Sequence, residues 1–212
     1  MEGFQVVGWD RLTKMVERLA DMMEESGEKF DGIVTVASGG LPIATLLHDF
    51  TGLPVASYTA NSYDDIGADG KGKYRISFRL GGNLNGNKVL FIDDVAEHGD
   101  TFLRGIEHLL EWGIESRDDI KTATLFLKPH SKYTPDFVVE ETDEWIIFPF
   151  GFYETVKDLH KKWKKEGWDF NRIFTGLISI GIPLNYVIRF FAQSGHDIKR
   201  IRADAELSQA SP

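Results

Sequence analysis

The sequence predicts an α/β protein with a mainly parallel central sheet flanked by helices. Two observations carry this reading. β-rich apolar runs alternate along the chain with segments of helical periodicity. One run, KVLFI, is apolar without alternation, as a strand covered on both faces should be.

Taken in order, residues 10–25 (DRLTKMVERLADMMEE) predict the first helix. Leu12, Met15, Val16, Leu19, Met22 and Met23 keep the three-four spacing, and Asp10 is placed to cap the start. FDGIVTVA predicts a short strand ending at Gly39 and Gly40. LPIATLLHDFTG predicts a helix, with Gly52 where a helix stop belongs. PVASYTANSY is extended. Residues 64–87 break the pattern and predict a mobile loop or hairpin around the strand-like YRISFRL. KVLFID predicts the next strand and residues 101–112 a helix. KTATLFLK, DFVVEE and EWIIFPF predict further strands. DLHKKWKKEGW is a charged helix candidate. The segment after it is apolar but broken by Gly176, Gly181 and Pro183. We expect two domains, residues 1–156 and a helical extension over 157–212.

Composition excludes several classes. Of 212 residues, 42% are hydrophobic and 27% charged, a globular balance. There is no cysteine, so disulfides and thiolate metal sites are ruled out. The net charge of −9 argues against nucleic-acid binding, but not against a phosphate held by backbone amides. The basic cluster Lys161, Lys162, Lys164 and Lys165 reads as a solvated helix face. A membrane span needs about 20 uninterrupted apolar residues. Asn185, Arg189 and Pro183 interrupt the last apolar run, so no span is expected. The start of the chain lacks the basic and apolar pattern of a signal peptide, and a cytoplasmic location is expected.

In parallel α/β sheets, ligands bind beyond the carboxyl ends of the strands. That rule selects the Gly39-Gly40 loop, residues 93–101 and Lys128. Asp93 and Asp94 end the KVLFI strand, and Gly99 and Thr101 open a helix. Free amides and the positive dipole end of a helix suit a phosphate. Gly99 allows close approach of the backbone, and the Thr101 hydroxyl adds a donor. Two adjacent carboxylates can accept from ribose hydroxyls or hold Mg²⁺. The same loop also reads as an ordinary acidic turn with an Asp cap. Lys128 can meet a carbonyl on a heterocycle, or be a surface lysine. Trp145 offers a stacking face, or is core. His48, His108, His130, His160 and His196 show no metal-ligand spacing and read as surface or core residues.

VLFIDDVAEHGDT resembles the phosphoribosyl pyrophosphate (PRPP) motif of type I phosphoribosyltransferases. VVGWDRL, GIVTVASGGLPIATLL, ANSYDD, LFLKPHSK and ETDEWIIFPF resemble, in order, other segments of the xanthine-guanine branch. The resemblance implies the type I fold with a small hood. It implies transfer of phosphoribosyl from PRPP to a 6-oxopurine (xanthine, guanine or hypoxanthine) with release of pyrophosphate, in purine salvage, with Mg²⁺ as cofactor. It also implies a homodimer or homotetramer. The alternatives are another acceptor, or a PRPP- or nucleotide-binding regulator without turnover.

Residue by residue, the resemblance assigns Asp93 and Asp94 to ribose and metal. Ala96, His98, Gly99, Asp100 and Thr101 would hold the phosphate, and Ser38, Gly39 and Gly40 the pyrophosphate. Ser62 and Tyr63 would enter a mobile loop over residues 62–75 bearing Lys71, Lys73 and Arg75. Lys128 would meet the purine O6, Trp145 would stack on the ring, and the Ile146 backbone would read its edge, with Phe150 as a second aromatic. Glu97 would take the purine proton. Three residues depart from the branch: Glu97 stands where Asp is usual, His98 where a small hydroxyl residue is usual, and Ser38 where Arg is usual.

Overall fold

The computed structural model describes residues 3–66, 72–79 and 88–195, with side chains described for 3–59 and 88–195. Two compact units emerge: Asp10–Asp143, and Met1–Trp9 with Glu144–Pro212.

The elements run in chain order as β1 (Phe4–Val6), α1 (Trp9–Ser26), β2 (Gly32–Ala37), α2 (Leu41–Thr51), β3 (Val55–Ile66), β4 (Gly72–Arg79) and β5 (Val89–Ala96). They continue with α3 (Asp100–Glu111), β6 (Ile120–Leu127), β7 (Phe137–Glu141), β8 (Trp145–Ile147), α4 (Phe152–Lys165), α5 (Phe170–Ser179) and α6 (Leu184–Gln193).

The larger unit is built on a six-stranded sheet of order β4-β3-β2-β5-β6-β7. Every pairing is parallel except that of β4, which runs back along β3 as a hairpin partner. The predicted mainly parallel α/β architecture is therefore present. β5 lies between β2 and β6, and Val89 to Asp93 are all buried. This explains the absence of alternation in KVLFI, since a central parallel strand has apolar neighbours on both faces. α1 buries Leu12, Met15, Val16, Leu19 and Met23, and α3 buries Phe102, Ile106 and Leu109. Beneath α3, the Phe91 ring meets Phe102 edge-on at 5.4 Å and stacks near Tyr58 at 6.2 Å. At the sheet edge, Arg11 of α1 grips the Glu140 carboxylate of β7 at 2.8 Å.

The smaller unit has its own core. β1 and β8 pair in parallel, Phe4 opposite Trp145 and Val6 opposite Ile147. Buried Ile147, Val156, Leu159, Trp163, Leu177, Val187 and Phe191 bring β8 and all three C-terminal helices into one cluster. The apolar pattern of the tail is thus largely consumed by the tail's own packing. Among the described residues, no helix is long and apolar enough to cross a membrane.

Several boundaries differ from the sequence reading, each for a local reason. α1 starts one residue early, so Asp10 lies in the first turn, where its charge complements the helix dipole, rather than at the cap. EWIIFPF gives only three residues of strand, because a turn closed by Gly151 N–H on Phe148 O follows it. Gly176 does not break a helix but sits inside α5, where a Cβ would come within 3.0 Å of the Trp163 ring. Gly181 and Pro183 do separate α5 from α6. The expected boundary at 156/157 falls inside α4.

Leu177 is fully buried at the centre of the helical cluster. Leu177→Ala is expected to destabilise this unit by about 2–5 kcal/mol, measured by urea denaturation with tryptophan fluorescence.

Candidate functional site

The acidic pair is the focus of the larger unit. β5 runs past Asp93, the last residue of the predicted KVLFID strand, and continues through Asp94 to Ala96. Asp93 pairs in register with Thr124 of β6, which holds the aspartates at the carboxyl end of a central strand. Asp94 N–H donates to Asp93 Oδ1 at 3.0 Å, and Val95 N–H donates to Asp94 Oδ1 at 2.9 Å. Thr101, at the start of α3, lies near enough to Asp93 for its hydroxyl to favour the charged carboxylate. Thr35 and Thr124 hydroxyls anchor the strand from below by donating to the carbonyls of Ile92 (2.9 Å) and Asp94 (3.1 Å).

Burial raises both carboxyl groups above their ordinary range. Asp93 rises well above it, first because it is desolvated and then because the Asp94 charge faces it. Two adjacent carboxylates this close titrate as a unit.

The Gly39-Gly40 loop lies directly against this pair. A Cβ on residue 39 would stand 2.8 Å from Asp94 Oδ2. One on residue 40 would stand 2.2 Å from Thr35 Oγ1 and 3.0 Å from the Ile92 carbonyl. Only glycine lets the loop and the strand end meet at this distance. The Ala37–Ser38 peptide is cis, and Ser38 is exposed. Gly40 N–H is engaged by Val36 O at 3.2 Å, so its expected use as a ligand donor is already taken by the fold. α2 starts immediately afterwards, with Pro42 in its first turn.

On the other side of the pair, Gly99 has φ of 81° and precedes α3. That left-handed conformation suits glycine, and a Cβ there would lie 2.7 Å from Tyr133 N and 3.0 Å from Ser131 Oγ. The first intrahelical bond of α3 is Leu103 N–H to Gly99 O at 3.1 Å, so the amides before Leu103 form the donor end of the helix. Asp100 and Thr101 lie in that first turn, and Asp100 faces Lys132 at 3.9 Å.

Glu97 and Lys128 come together above the pair. Lys128 is buried, its Nζ 3.9 Å from Glu97 Oε2, and its amide donates to Ala96 O at 3.2 Å. The other Glu97 oxygen faces His130 Nε2 at 3.2 Å. His130, a surface or core residue by its sequence context, is delivered beside Glu97 and His98 by the pairing of β5 with β6. Those three exposed residues form a group with metal-ligating atoms, while Asp93 and Asp94 offer an all-oxygen donor set.

Trp145 and Ile146 belong to the smaller unit, on β8. There the Trp145 ring lies 6.0 Å from Phe4 with the Lys162 ammonium 5.7 Å from its centroid, and Phe150 stacks on Phe148. One lysine of the basic cluster therefore has a ring partner rather than solvent alone. The side chains of Ser62, Tyr63, Lys71, Lys73 and Arg75 lie outside the described residues; β3 carries the first two at the backbone level.

Residues 8–156 match the model of the phosphoribosyl transferase domain. The chain belongs to the phosphoribosyltransferase family. Among solved structures, it is similar to a purine phosphoribosyltransferase from Pyrococcus horikoshii, at 31% identity and TM-score 0.60, covering 69% of this chain and 93% of that one. The fold is also that of the xanthine-guanine-hypoxanthine phosphoribosyltransferase of Helicobacter pylori, at 21% identity and TM-score 0.60, over 74% and 99% of the two chains.

Curated relatives carry two kinds of name. A hypoxanthine/guanine phosphoribosyltransferase of Methanosalsum zhilinae is 34% identical over 92 residues, 42% of this chain and 48% of that protein. Transcriptional regulator GfcR 1 of Methanosarcina barkeri is 31% identical over 122 residues, 52% of this chain and 59% of the regulator. The matches thus span roughly half the length of these relatives. The expected family and the type I phosphoribosyltransferase fold are both present.

The raised carboxyls set a pH dependence. The unfolded chain has ordinary aspartates, so over the range from the usual value of 3.8 up to the raised native value the folded state binds more protons. Stability from this pair falls as pH rises through that range. Asp93→Asn keeps the Oδ1 acceptor and removes the charge. It is expected to raise the melting temperature at pH 7, by about 2–4 °C for each kcal/mol gained, with the gain shrinking as pH falls toward 4. Thermal melts across that range measure it.

Proposed function

We propose that the protein transfers the phosphoribosyl group of PRPP to a 6-oxopurine, giving a nucleoside monophosphate and pyrophosphate. The observation that carries this reading is the buried acidic pair set between the Gly39-Gly40 loop and the donor end of α3, in a chain of the phosphoribosyltransferase family. A purine nitrogen attacks C1 of the ribose while the bond from C1 to the pyrophosphate oxygen breaks. The base loses a proton and the pyrophosphate keeps the electron pair. Positioning and charge stabilisation dominate such a reaction.

The roles are those the family resemblance implies, and the geometry is compatible with them. Asp93 and Asp94 accept from the ribose hydroxyls. The amides at the start of α3, with Ala96 to Thr101 around them, receive the terminal phosphate. Since Gly40 N–H is spent on Val36, the leaving group falls to the amides of Ser38 and Gly39. Glu97 accepts the proton of the purine, and Lys128 beside it donates to the 6-oxo oxygen. Two adjacent carboxylates whose charges burial penalises fit a divalent cation, because a cation offsets that cost and an oxygen-only donor set suits Mg²⁺. Asp93 and Asp94 would hold it, and it would supply countercharge for the departing pyrophosphate.

A second reading has its own support: relatives of similar identity are named transcriptional regulators, and Glu97, His98 and Ser38 depart from the enzyme pattern. In it the same site binds PRPP or a nucleotide without turnover.

Pyrophosphate release with PRPP, Mg²⁺ and a panel of xanthine, guanine, hypoxanthine and adenine separates the readings. Turnover with a 6-oxopurine is expected. Binding of PRPP without turnover on any base would favour the regulator, and activity on adenine alone would overturn the role given to Lys128. Glu97→Gln is expected to lower kcat by about 10²–10⁴-fold while PRPP binding, followed by calorimetry, is retained. Mg²⁺ should raise the melting temperature of the native protein more than that of Asp93→Asn.

A further inference from the structure

We infer that Glu97, His98 and His130 form a second, distinct metal site, selective for a late first-row divalent ion such as Zn²⁺ or Co²⁺. Their ligating atoms, one carboxylate oxygen and two imidazole nitrogens, all lie within 4.8 Å of one another. Two imidazoles and a carboxylate suit zinc and its neighbours and do not suit Mg²⁺. All three residues are exposed, which leaves coordination positions open to water.

The backbone holds the group together. Lys128 N–H bonds Ala96 O at 3.2 Å and Lys132 N–H bonds His98 O at 3.1 Å, so the turn carrying His130 is fastened to the loop on both sides of His130. A further bond from Ser131 N–H to Lys128 O, 3.0 Å, tightens the turn beneath His130. The rings of His98 and His130 stand 5.3 Å apart at 71°. Glu97 divides its oxygens: Oε2 faces Lys128 at 3.9 Å, and Oε1 faces His130 Nε2 at 3.2 Å. In a tetrahedral shell with bonds of about 2.0–2.1 Å, ligand atoms stand about 3.3 Å apart. The Glu97–His130 edge already has that length, and rotation of the exposed His98 ring closes the remaining side.

The inference does not depend on catalytic turnover. Where the proposed transfer holds, a metal on Glu97 occupies the proton acceptor, so zinc would inhibit the reaction.

The test is binding of Zn²⁺ to the full chain by calorimetry, paired with visible absorption of the Co²⁺-substituted protein. One equivalent is expected, with imidazole-ligated Co²⁺ bands. The double variant His98→Ala/His130→Ala should lose at least roughly 10-fold in affinity and lose the bands. Asp93→Asn/Asp94→Asn should keep both, which separates this site from the acidic pair. Circular dichroism confirms folding, and Glu97→Gln provides a second variant that spares both imidazoles and should weaken binding. No stoichiometric binding, binding undiminished in the histidine variant, or loss in the aspartate variant instead would each overturn the inference.

Discussion

Two carboxylates side by side at the buried end of a central strand are costly, and the surrounding structure is arranged around that cost. Asp93 and Asp94 are placed by β5, which has β2 and β6 on its two edges and cannot shift without breaking both ladders. Their oxygens are partly met by the amides of Asp94 and Val95. The remaining deficit leaves the pair in favour of its protons. Gly39 and Gly40 are glycine for the same reason: the space a side chain would need holds Asp94, Thr35 and the Ile92 carbonyl. The loop on one side, the helix start on the other and the strand between them are one construction. A charge kept at a structural cost is typical of a site whose ligand relieves it.

That construction was largely legible in the sequence because it is local. The apolar run of KVLFI, the double aspartate and the Gly-Asp-Thr helix start lie within one short segment. The helices were legible through periodicity, and Gly52 stops α2 with φ of 70°, as its position suggested. What was not legible depends on contacts between distant segments. EWIIFPF has strand composition, but nothing in it reveals that β8 leaves the main sheet and pairs with β1. Gly176 looks like a breaker until the Trp163 and Trp168 rings are seen where its side chain would be. His98 and His130 are separated by a helix and a strand, so no spacing rule joins them; the signal was the parallel pairing of the two strands that precede them.

A phosphate site in this loop is compatible with a strongly acidic chain. Among the described residues, Lys128 faces Glu97 and Lys132 faces Asp100 at this edge of the sheet. Among the described residues, an anion at this edge of the sheet would meet the oriented amides at the start of α3. Such donors add no net charge and need no reorganisation when a ligand arrives. A net charge of −9 is then compatible with phosphate recognition and opposed to the long-range attraction that a polyanion such as DNA would exploit.

The same accounting bears on Glu97. In a loop where the usual Asp is replaced by the longer Glu, the extra methylene lets one carboxylate reach both the Lys128 ammonium and the His130 ring. A shorter side chain at this position would be expected to serve one of them at a time. Glu97 and His98, two adjacent departures from the family pattern, lie in one side-chain cluster. They supply two of the three ligands of one exposed cluster, and β6 supplies the turn that brings the third. The residues that weaken the likeness to an ordinary purine enzyme are thus the residues that add a second chemistry to the edge of its site.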